Sequence, residues 1–215
     1  MTYLSGDRAA QPTSRENLTR KNVLLLLARG FEDAEAVAAI DVFGWTEYRP
    51  SIATVGVTTC GLHETVTGGF GITIKPELLL GEVDAGHFDA LVIPGGFHNR
   101  GYDEVYCEEV YALIRKFRSV DKPVATMCVG ILPVAEAGAL QGGKATTYAF
   151  SSRHDNYGVL EQNGCEGIYK GVVDWNGVIS CSGPEFSDQV LVKLLEKIVG
   201  KAAAAEVSHY RRGCE

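Results

Sequence analysis

Residues 123–130 read Pro-Val-Ala-Thr-Met-Cys-Val-Gly, and this stretch decides how the chain folds. Residues 123–127 have the length and apolar character of a buried strand, and residues 130–137 follow as a helix. Cys128 falls at the turn between them, and Gly130 leaves space for a sharp bend two residues later. The stretch therefore predicts one unit of an α/β fold with a cysteine at a strand-to-helix elbow.

The same alternation of strand and helix recurs along the chain. The predicted strands are 23–28, 51–55, 88–93, 123–127 and 145–148, and the predicted helices are about 34–45, 104–117 and 130–137. Asp33 is the predicted N-cap of the first helix, and Glu35 lies in its first turn. Repeated strands with helical crossovers are typical of a doubly wound, mostly parallel sheet. Residues 57–74 are expected to form irregular β structure whose pairing stays open, because glycines interrupt them.

The C-terminal third adds an antiparallel element. Asn176-Gly177 lies between two β-branched runs in 172–179, which is the strongest short-range hairpin signal. Pro184 then opens a predicted helix to about residue 199, and the alanine-rich stretch 201–206 is predicted as a closing helix. The expected architecture is an α/β sheet with an added hairpin.

Length and composition suit one main domain. The chain has 215 residues, 46% of them hydrophobic, and we expect a polar tail at 1–20, a domain at 21–200, and a C-terminal helix and tail at 201–215. The formal net charge of −7, without a run of Lys or Arg, argues against a nucleic-acid partner. The sequence shows neither the apolar core of a signal peptide nor a membrane-length apolar segment, so we expect a cytoplasmic protein without a membrane partner.

The cysteine pattern predicts free thiols. The six cysteines are at positions 60, 107, 128, 165, 181 and 214, and they form no Cys-x-x-Cys pair and have no histidine at metal-ligand spacing. Residues 138–145 nearly match a phosphate-binding loop, but Ala145 replaces the metal-binding hydroxyl residue and a helix precedes the segment. No metal and no cofactor are therefore expected.

The chemistry is expected where strands end, at the turns 29–35, 94–100 and 127–130. At the third turn the helix N-terminus should lower the pKa of Cys128, and the backbone N–H of Val129 should face a developing oxyanion. Gly95-Gly96 could supply a second amide donor. The competing interpretation is that Cys128 is a buried small hydrophobe, which is the interpretation we give the other five cysteines.

The chain resembles the ThiJ/PfpI (DJ-one) superfamily over about residues 22–199. The motifs that carry the resemblance are Ala28-Arg29-Gly30-Phe31-Glu32-Asp33-Ala34-Glu35, Ile93-Pro94-Gly95-Gly96, Ala125-Thr126-Met127-Cys128-Val129-Gly130, Ala145-Thr146-Thr147 and Ser180-Cys181-Ser182-Gly183-Pro184. The resemblance implies a flavodoxin-like fold and a homodimer. It also implies that Cys128 is the nucleophile, that Glu35 is the carboxyl group beside it, and that Gly96 and Val129 provide oxyanion-binding amides.

The carboxyl partner has a physical rationale. An ionised Glu35 would oppose formation of the thiolate, whereas a protonated Glu35 could donate a hydrogen bond to the thiolate or to its sulfinate. Spacing alone leaves Glu32 as an alternative for this role, and the resemblance favours Glu35.

The sequence departs from many relatives in its histidines. Val129 and Tyr148 occupy positions at which relatives place a histidine, which weakens a protease or amidotransferase interpretation. His98 and His154 lie in loops from which either could reach the cysteine. We expect Tyr148, His98 and Gly95 to contact substrate.

Three functions follow from these residues. The first is an enzyme of glyoxalase or deglycase type, in which the Cys128 thiolate adds to a small reactive carbonyl and Glu35 moves the proton. The second is a non-enzymatic oxidative-stress sensor or chaperone that uses oxidation of Cys128. The third is a hydrolase or amidotransferase-like enzyme, which requires a histidine within hydrogen-bond reach of the sulfur.

Overall fold

The computed structural model describes residues 18–213, so residues 1–17 of the predicted tail and Cys214 lie outside the described part of the chain. The strands are β1 Lys21–Leu27, β2 Val55–Gly61, β3 Val66–Thr67, β4 Thr73–Ile74, β5 Leu78–Leu79, β6 Ala90–Ile93, β7 Val124–Met127, β8 Lys144–Ala145, β9 Glu166–Gly167, β10 Val172–Trp175 and β11 Val178–Cys181. The helices are α1 Asp33–Gly44, α2 Glu108–Ser119, α3 Leu132–Glu136, α4 Asn156–Gln162, α5 Ser187–Val199 and α6 Lys201–Arg212.

A seven-stranded sheet in the order β10-β11-β7-β6-β1-β2-β5 forms the centre of the fold. Neighbouring strands are parallel except β10 and β11, which form the antiparallel hairpin that Asn176-Gly177 predicts. Because the second arm of the hairpin pairs with β7, the residue that ends β11 lies beside the elbow. The predicted flavodoxin-like α/β class is confirmed.

Helices cover both faces of the sheet because the central strands are apolar on both sides. Leu24 and Leu26 of β1 pack into one apolar core with α2, α3 and α4. Val23, Leu25 and Leu27 of the same strand pack into the other core with α1, α5 and α6. This two-sided burial explains why β1 reads as a continuous apolar run rather than as an alternating one.

Two predicted strands are wrong in extent. The strand predicted at 51–55 begins at Val55 and continues to Gly61, because β1 begins at Lys21, whose partner in the register is Val55. Part of the segment expected to be irregular is therefore a strand of the main sheet.

The strand predicted at 145–148 is limited to Lys144–Ala145, which pairs only with β9. Beyond it, the Thr146 N–H donates to the Ser180 hydroxyl at 3.0 Å, so side-chain contacts replace the sheet ladder.

The ends of the helices also differ from the predictions. Glu32, not Asp33, caps α1, since its carboxylate accepts a hydrogen bond from the Glu35 N–H. Asp33 instead accepts hydrogen bonds from the N–H groups of Phe70 and Ile72 at 2.9 and 2.8 Å, and so holds the loop between β3 and β4 against the start of α1.

The closing helix is longer than its alanine-rich part. Arg211, near its end, forms ion pairs with Asp41 of α1 at 2.7 Å and Asp188 of α5 at 2.9 Å. The helices predicted at 104–117 and 130–137 begin as α-helices only at Glu108 and Leu132, because short 3-10 turns at Tyr102–Val105 and Cys128–Ile131 precede them.

A substitution at Gly130 tests how tightly the elbow is packed. A Cβ at this position would lie 2.5 Å from the carbonyl oxygen of Ile93 and 2.7 Å from that of Pro94. We expect Gly130→Ala to lower the free energy of unfolding by about 1–3 kcal/mol, because neighbouring backbone must shift. Gly44→Ala is the matched control, since a Cβ there meets nothing within 4 Å, and it should be neutral or slightly stabilising. Urea unfolding of both variants is the measurement, and equal destabilisation would contradict the packing argument.

Candidate active site

Cys128 is the first residue after β7 and adopts a positive φ of 51°, a backbone conformation that residues other than glycine rarely adopt. A 3-10 turn begins at this residue and leads into α3. The backbone N–H of Val129 lowers the pKa of the Cys128 thiol, against the larger effect of burial. The elbow predicted from the sequence is thus present, and its geometry turns the thiol toward the turn that follows β6.

Gly95, in that turn, lies between the thiol and Glu35. A Cβ at Gly95 would lie 2.5 Å from the Cβ of Cys128 and 3.1 Å from Oε2 of Glu35. The Gly95 N–H donates a hydrogen bond to the same Oε2 at 2.6 Å. Glycine is therefore the only residue that lets Cys128 and Glu35 approach each other here. Gly95 was predicted to contact substrate, whereas the structure gives it this spacing role.

Glu35 is fully buried on the face of α1 that packs against the sheet. Burial, opposed by the Gly95 amide and reinforced by the charge of Glu32, raises the pKa of Glu35 from 4.5 to about 8. Its Oε1 is buried without a hydrogen-bond partner among the described residues. At neutral pH the carboxyl is mostly protonated, so it can donate a proton or a hydrogen bond within the site.

The pKa of Cys128 does not follow the sequence-based expectation. Burial, and then the negative charge of Glu35, raise the pKa of this thiol well above its ordinary value, and the Val129 amide only partly opposes them. The predicted lowering by the helix N-terminus is therefore wrong, because the helical segment at Cys128 begins as a 3-10 turn in a buried position next to an acidic group.

Glu32, the alternative carboxyl, has a different structural role. Its side chain caps α1, and its N–H donates to the Gly95 carbonyl at 2.8 Å. It lines the cavity in front of Cys128 and adds negative charge to the site. Glu35 is thus the carboxyl whose side chain lies next to Cys128, with Gly95 between them.

The two amides predicted to bind an oxyanion lie on the wall of one cavity. The Gly96 N–H has no backbone acceptor in the described part of the chain, although Gly96 itself bridges to Phe31 in the neighbouring turn. The Val129 N–H already faces the sulfur. Both residues line the cavity that contains Cys128.

This cavity has a volume of about 660 Å³. Its lining combines aromatic and polar residues: Phe70, Phe97, Phe150, Tyr148, His98, His154, Asn99, Asn156, Asp103 and Arg153. A separate groove of about 850 Å³ is larger, but it is lined by residues such as Arg29, Glu104 and Cys107 and does not contain Cys128. We assign the chemistry to the smaller cavity, because Cys128 lines it and Glu35 is buried beside Cys128, on the other side of Gly95.

Both loop histidines line the cavity, and they contact each other. The His98 and His154 ring centroids are 4.1 Å apart, and Nδ1 of His98 pairs with the Asp103 carboxylate. Nε2 of His98 is buried without a hydrogen-bond partner among residues 18–213. Within that part of the chain neither histidine hydrogen-bonds to Cys128, so the condition set for the hydrolase interpretation is not met.

Tyr148 lies on the wall of the same cavity. Its ring is half-buried and packs edge-on against Phe150, with the centroids 5.9 Å apart. Asn156 holds its backbone by donating to the Tyr148 carbonyl at 2.8 Å. The structure thus brings Tyr148, His98 and Cys128 to one cavity, as the sequence analysis expects.

Sequence reasoning missed Cys181 as a neighbour of the site. Cys181 is fully buried at the end of β11, where its sulfur donates to the Gly183 carbonyl at 3.3 Å. The backbone N–H of Cys128 lowers the pKa of this thiol, against the larger effect of burial. The hairpin signal placed Cys181 at a strand end, but only the pairing of β11 with β7 shows that this end lies beside the elbow.

The chain is similar to known proteins in sequence and in fold. The model of the DJ-1/PfpI family matches residues 21–197. Deglycase PH1704 of Pyrococcus horikoshii is 35% identical over 127 residues, which cover 59% of this chain and 71% of the relative. Protein dj-1beta of Drosophila melanogaster is 28% identical over 87% of this chain and 95% of its own length. The structure of oxidized Toxoplasma gondii DJ-1 superposes with a TM-score of 0.75 at 22% identity, covering 88% of this chain and 97% of that chain.

The pKa of Glu35 predicts a pH-dependent stability. The fold favours the protonated carboxyl, so its contribution is fully present below the ordinary pKa of 4.5 and is lost as the pH rises toward about 8. We expect the free energy of unfolding of the unmodified protein, relative to Glu35→Gln, to fall by about 1.4 kcal/mol per pH unit across this range. Chemical denaturation of both proteins at several pH values is the measurement. A constant difference would show that Glu35 titrates normally.

The charge of Glu35 should also control the reactivity of Cys128. At about pH 9 Glu35 is ionised and disfavours the thiolate, so Glu35→Gln should speed alkylation of Cys128 by iodoacetamide. At about pH 6 Glu35 is protonated in the unmodified protein, and the difference should shrink. Peptide mass spectrometry of Cys128 gives the rates. A rate ratio that is the same at both pH values would contradict this coupling.

Proposed function

The chain belongs to the DJ-1/PfpI family, and from this premise we propose that it is an enzyme that acts on small reactive carbonyl compounds and their adducts through Cys128. The observation that carries the proposal is the placement of the thiol and a protonatable Glu35 on either side of Gly95, with the thiol at the wall of a cavity of about 660 Å³ and Glu35 buried behind it. A nucleophile, a proton carrier and amide donors at one point are the groups that carbonyl addition requires.

The names of the relatives support the reaction class. Pyrococcus horikoshii PH1704 and Pyrococcus furiosus PfpI, each 35% identical to this chain over 127 residues, are named deglycases. The cavity is also larger than a three-carbon oxoaldehyde needs, since volumes of about 300–1,000 Å³ accommodate much larger ligands. Adducts of such aldehydes with amino-acid side chains are therefore included in the proposal.

The first step joins the sulfur to the aldehyde carbon. As the S–C bond forms, the carbonyl π electrons move to the oxygen, and the N–H groups of Gly96 and Val129 stabilise the developing oxyanion. Glu35 accepts the thiol proton and gives its own proton to the oxygen. The product is a neutral hemithioacetal, so the step does not require a free thiolate before the substrate binds.

The second step uses Glu35 as a base for an α-oxoaldehyde. Once Glu35 has released the proton that the first step leaves on it, its carboxylate removes the proton from the hemithioacetal carbon and returns it to the neighbouring carbonyl oxygen, which gives an enediol. Glu35 then takes the proton from the hydroxyl group on the sulfur-bearing carbon and gives it to the neighbouring carbon, so the adduct becomes a thioester of a hydroxy acid. Water then releases the acid and restores the thiol. The pKa of Glu35, about 8, suits this exchange, because both protonation states are populated near neutral pH.

For an adduct on an amine or a thiol, the bond between the carbonyl-derived carbon and the amine nitrogen or thiol sulfur would break as the Cys128 sulfur bonds to that carbon, and the released amine or thiol would take up the Cys128 proton. His98 and Tyr148 lie on the cavity wall, where they could hold the second oxygen of the substrate. The aromatic side chains of Phe70 and Phe97, whose centroids are 5.0 Å apart, provide an apolar surface beside them. These contacts would orient the carbonyl toward Cys128.

Two further expectations stay predictions. A homodimer is implied only by the resemblance, and a cytoplasmic location only by the sequence pattern. Within residues 18–213, the structure contains no helix with the length and apolarity needed to cross a membrane. Size-exclusion chromatography with light scattering would test the dimer.

Turnover of methylglyoxal by chelator-treated protein tests the proposed function. Cys128→Ala should abolish formation of the hydroxy acid, and Glu35→Gln should lower kcat by about 10²–10⁴-fold because proton transfer is lost. Cys107→Ser is the matched control, since Cys107 is half-buried in the separate groove, and it should retain full activity. Activity that persists in Cys128→Ala would refute the mechanism. A parallel assay with a methylglyoxal adduct of N-acetylcysteine would separate deglycase from glyoxalase activity.

A further inference from the structure

Two cysteines meet at the floor of the site. Cys181 ends β11 and is paired in register with Met127, the residue directly before Cys128. A strand spacing of about 4.8 Å and a Cα step of about 3.8 Å place the Cα atoms of Cys128 and Cys181 roughly 6 Å apart. Disulfide-bonded cysteines usually have Cα atoms about 4.4–6.8 Å apart. The backbone positions therefore allow a disulfide without a rearrangement of the sheet.

The contacts around the two sulfurs agree with this placement. The Cys181 thiol donates to the Gly183 carbonyl at 3.3 Å, and the backbone N–H of Cys128 acts on the pKa of Cys181. The charge of Glu35 acts on both thiols. The two differ in access, because Cys128 lines the cavity whereas Cys181 is completely buried behind it.

No other described cysteine has this relation to Cys128. Cys60 lies in β2, which β6 and β1 separate from β7, Cys165 precedes β9, and Cys107 precedes α2, whereas Cys181 ends the strand that pairs directly with β7. All five described cysteines are free thiols, so the pair starts from the reduced state.

We propose that Cys181 is a resolving thiol. Peroxide converts Cys128 and Cys181 into an intramolecular disulfide, which reversibly blocks the nucleophilic sulfur of Cys128. This oxidation is independent of the proposed turnover of carbonyl compounds. It assigns a role to a buried cysteine that the carbonyl mechanism does not use.

The chemistry balances in two steps. Hydrogen peroxide transfers one oxygen to the Cys128 sulfur, which becomes a sulfenic acid while the peroxide is reduced to water. The Cys181 sulfur then displaces the hydroxyl group, the S–S bond forms, and the Cys181 proton leaves with that hydroxyl as a second water. Burial, and then the charge of Glu35, raise the pKa of Cys181 to about 12, so its proton must leave as the sulfur attacks. A dithiol reductant restores both thiols.

The pairing protects the nucleophile from irreversible damage. A sulfenic acid without a neighbouring thiol is open to further oxidation to the sulfinic acid, which ordinary thiols do not reduce. With Cys181 beside it, the disulfide forms first, and the oxidised protein can return to the active form.

Intact-mass spectrometry after mild treatment with hydrogen peroxide tests the proposal. The unmodified protein should lose about 2 Da, and dithiothreitol should reverse the change. The number of free thiols, counted under denaturing conditions, should fall by two from the six of the reduced chain. Peptide mapping should locate the cross-link between Cys128 and Cys181. Cys181→Ser should instead gain about 32 Da at Cys128, the mass of a sulfinic acid.

The controls separate this proposal from the proposed function. Cys107→Ser should behave like the unmodified protein, and Cys181→Ala provides a second variant in case serine disturbs the fold, which thermal unfolding would reveal. Sulfinic acid at Cys128 in equal yield with and without Cys181 would overturn the proposal, and so would a cross-link from Cys128 to any other cysteine. Because the readout is mass and not turnover, an inactive protein that still forms the cross-link would refute only the carbonyl mechanism.

Discussion

The hydrogen bond from the Gly95 N–H to Glu35 is the interaction on which the site depends. It joins the turn after β6 to α1 at 2.6 Å, and the missing side chain of Gly95 leaves room for the Cβ of Cys128 on the other side. Three elements that are distant in sequence thus converge on one glycine. Any larger residue would separate the carboxyl from the thiol, so both the geometry and the coupled protonation of the pair follow from this contact.

Burial determines the chemistry of this pair more than the helix N-terminus does. Glu35 and Cys128 both have raised pKa values, chiefly because the charged form of each is desolvated. In the resting state both groups are neutral and protonated, so the site contains no separated charges. When a carbonyl compound binds, the two groups can exchange protons with it. The same desolvation extends to Cys181, so the floor of the site contains three groups that hold their protons near neutral pH.

Much of the fold could be predicted from the sequence because its signals are local. The apolar run of β1, the Asn176-Gly177 turn and the strand that ends before Cys128 each depend on a few neighbouring residues. The failures occur where a distant partner decides the outcome. The start of β2 follows the register with β1, and the cap of α1 passes to Glu32 because Asp33 is engaged by the loop between β3 and β4.

The sequence by itself determined the class of fold, the elbow and the identity of its thiol, because backbone propensity and strand length act within short segments. The family resemblance selected Glu35, and only the tertiary structure placed it next to Gly95. The contact of His98 with His154 and the position of Cys181 beside Cys128 were also decided by tertiary structure. These neighbours come from the order and register of strands far apart in the chain, and packing of the two cores, not local sequence, sets that order.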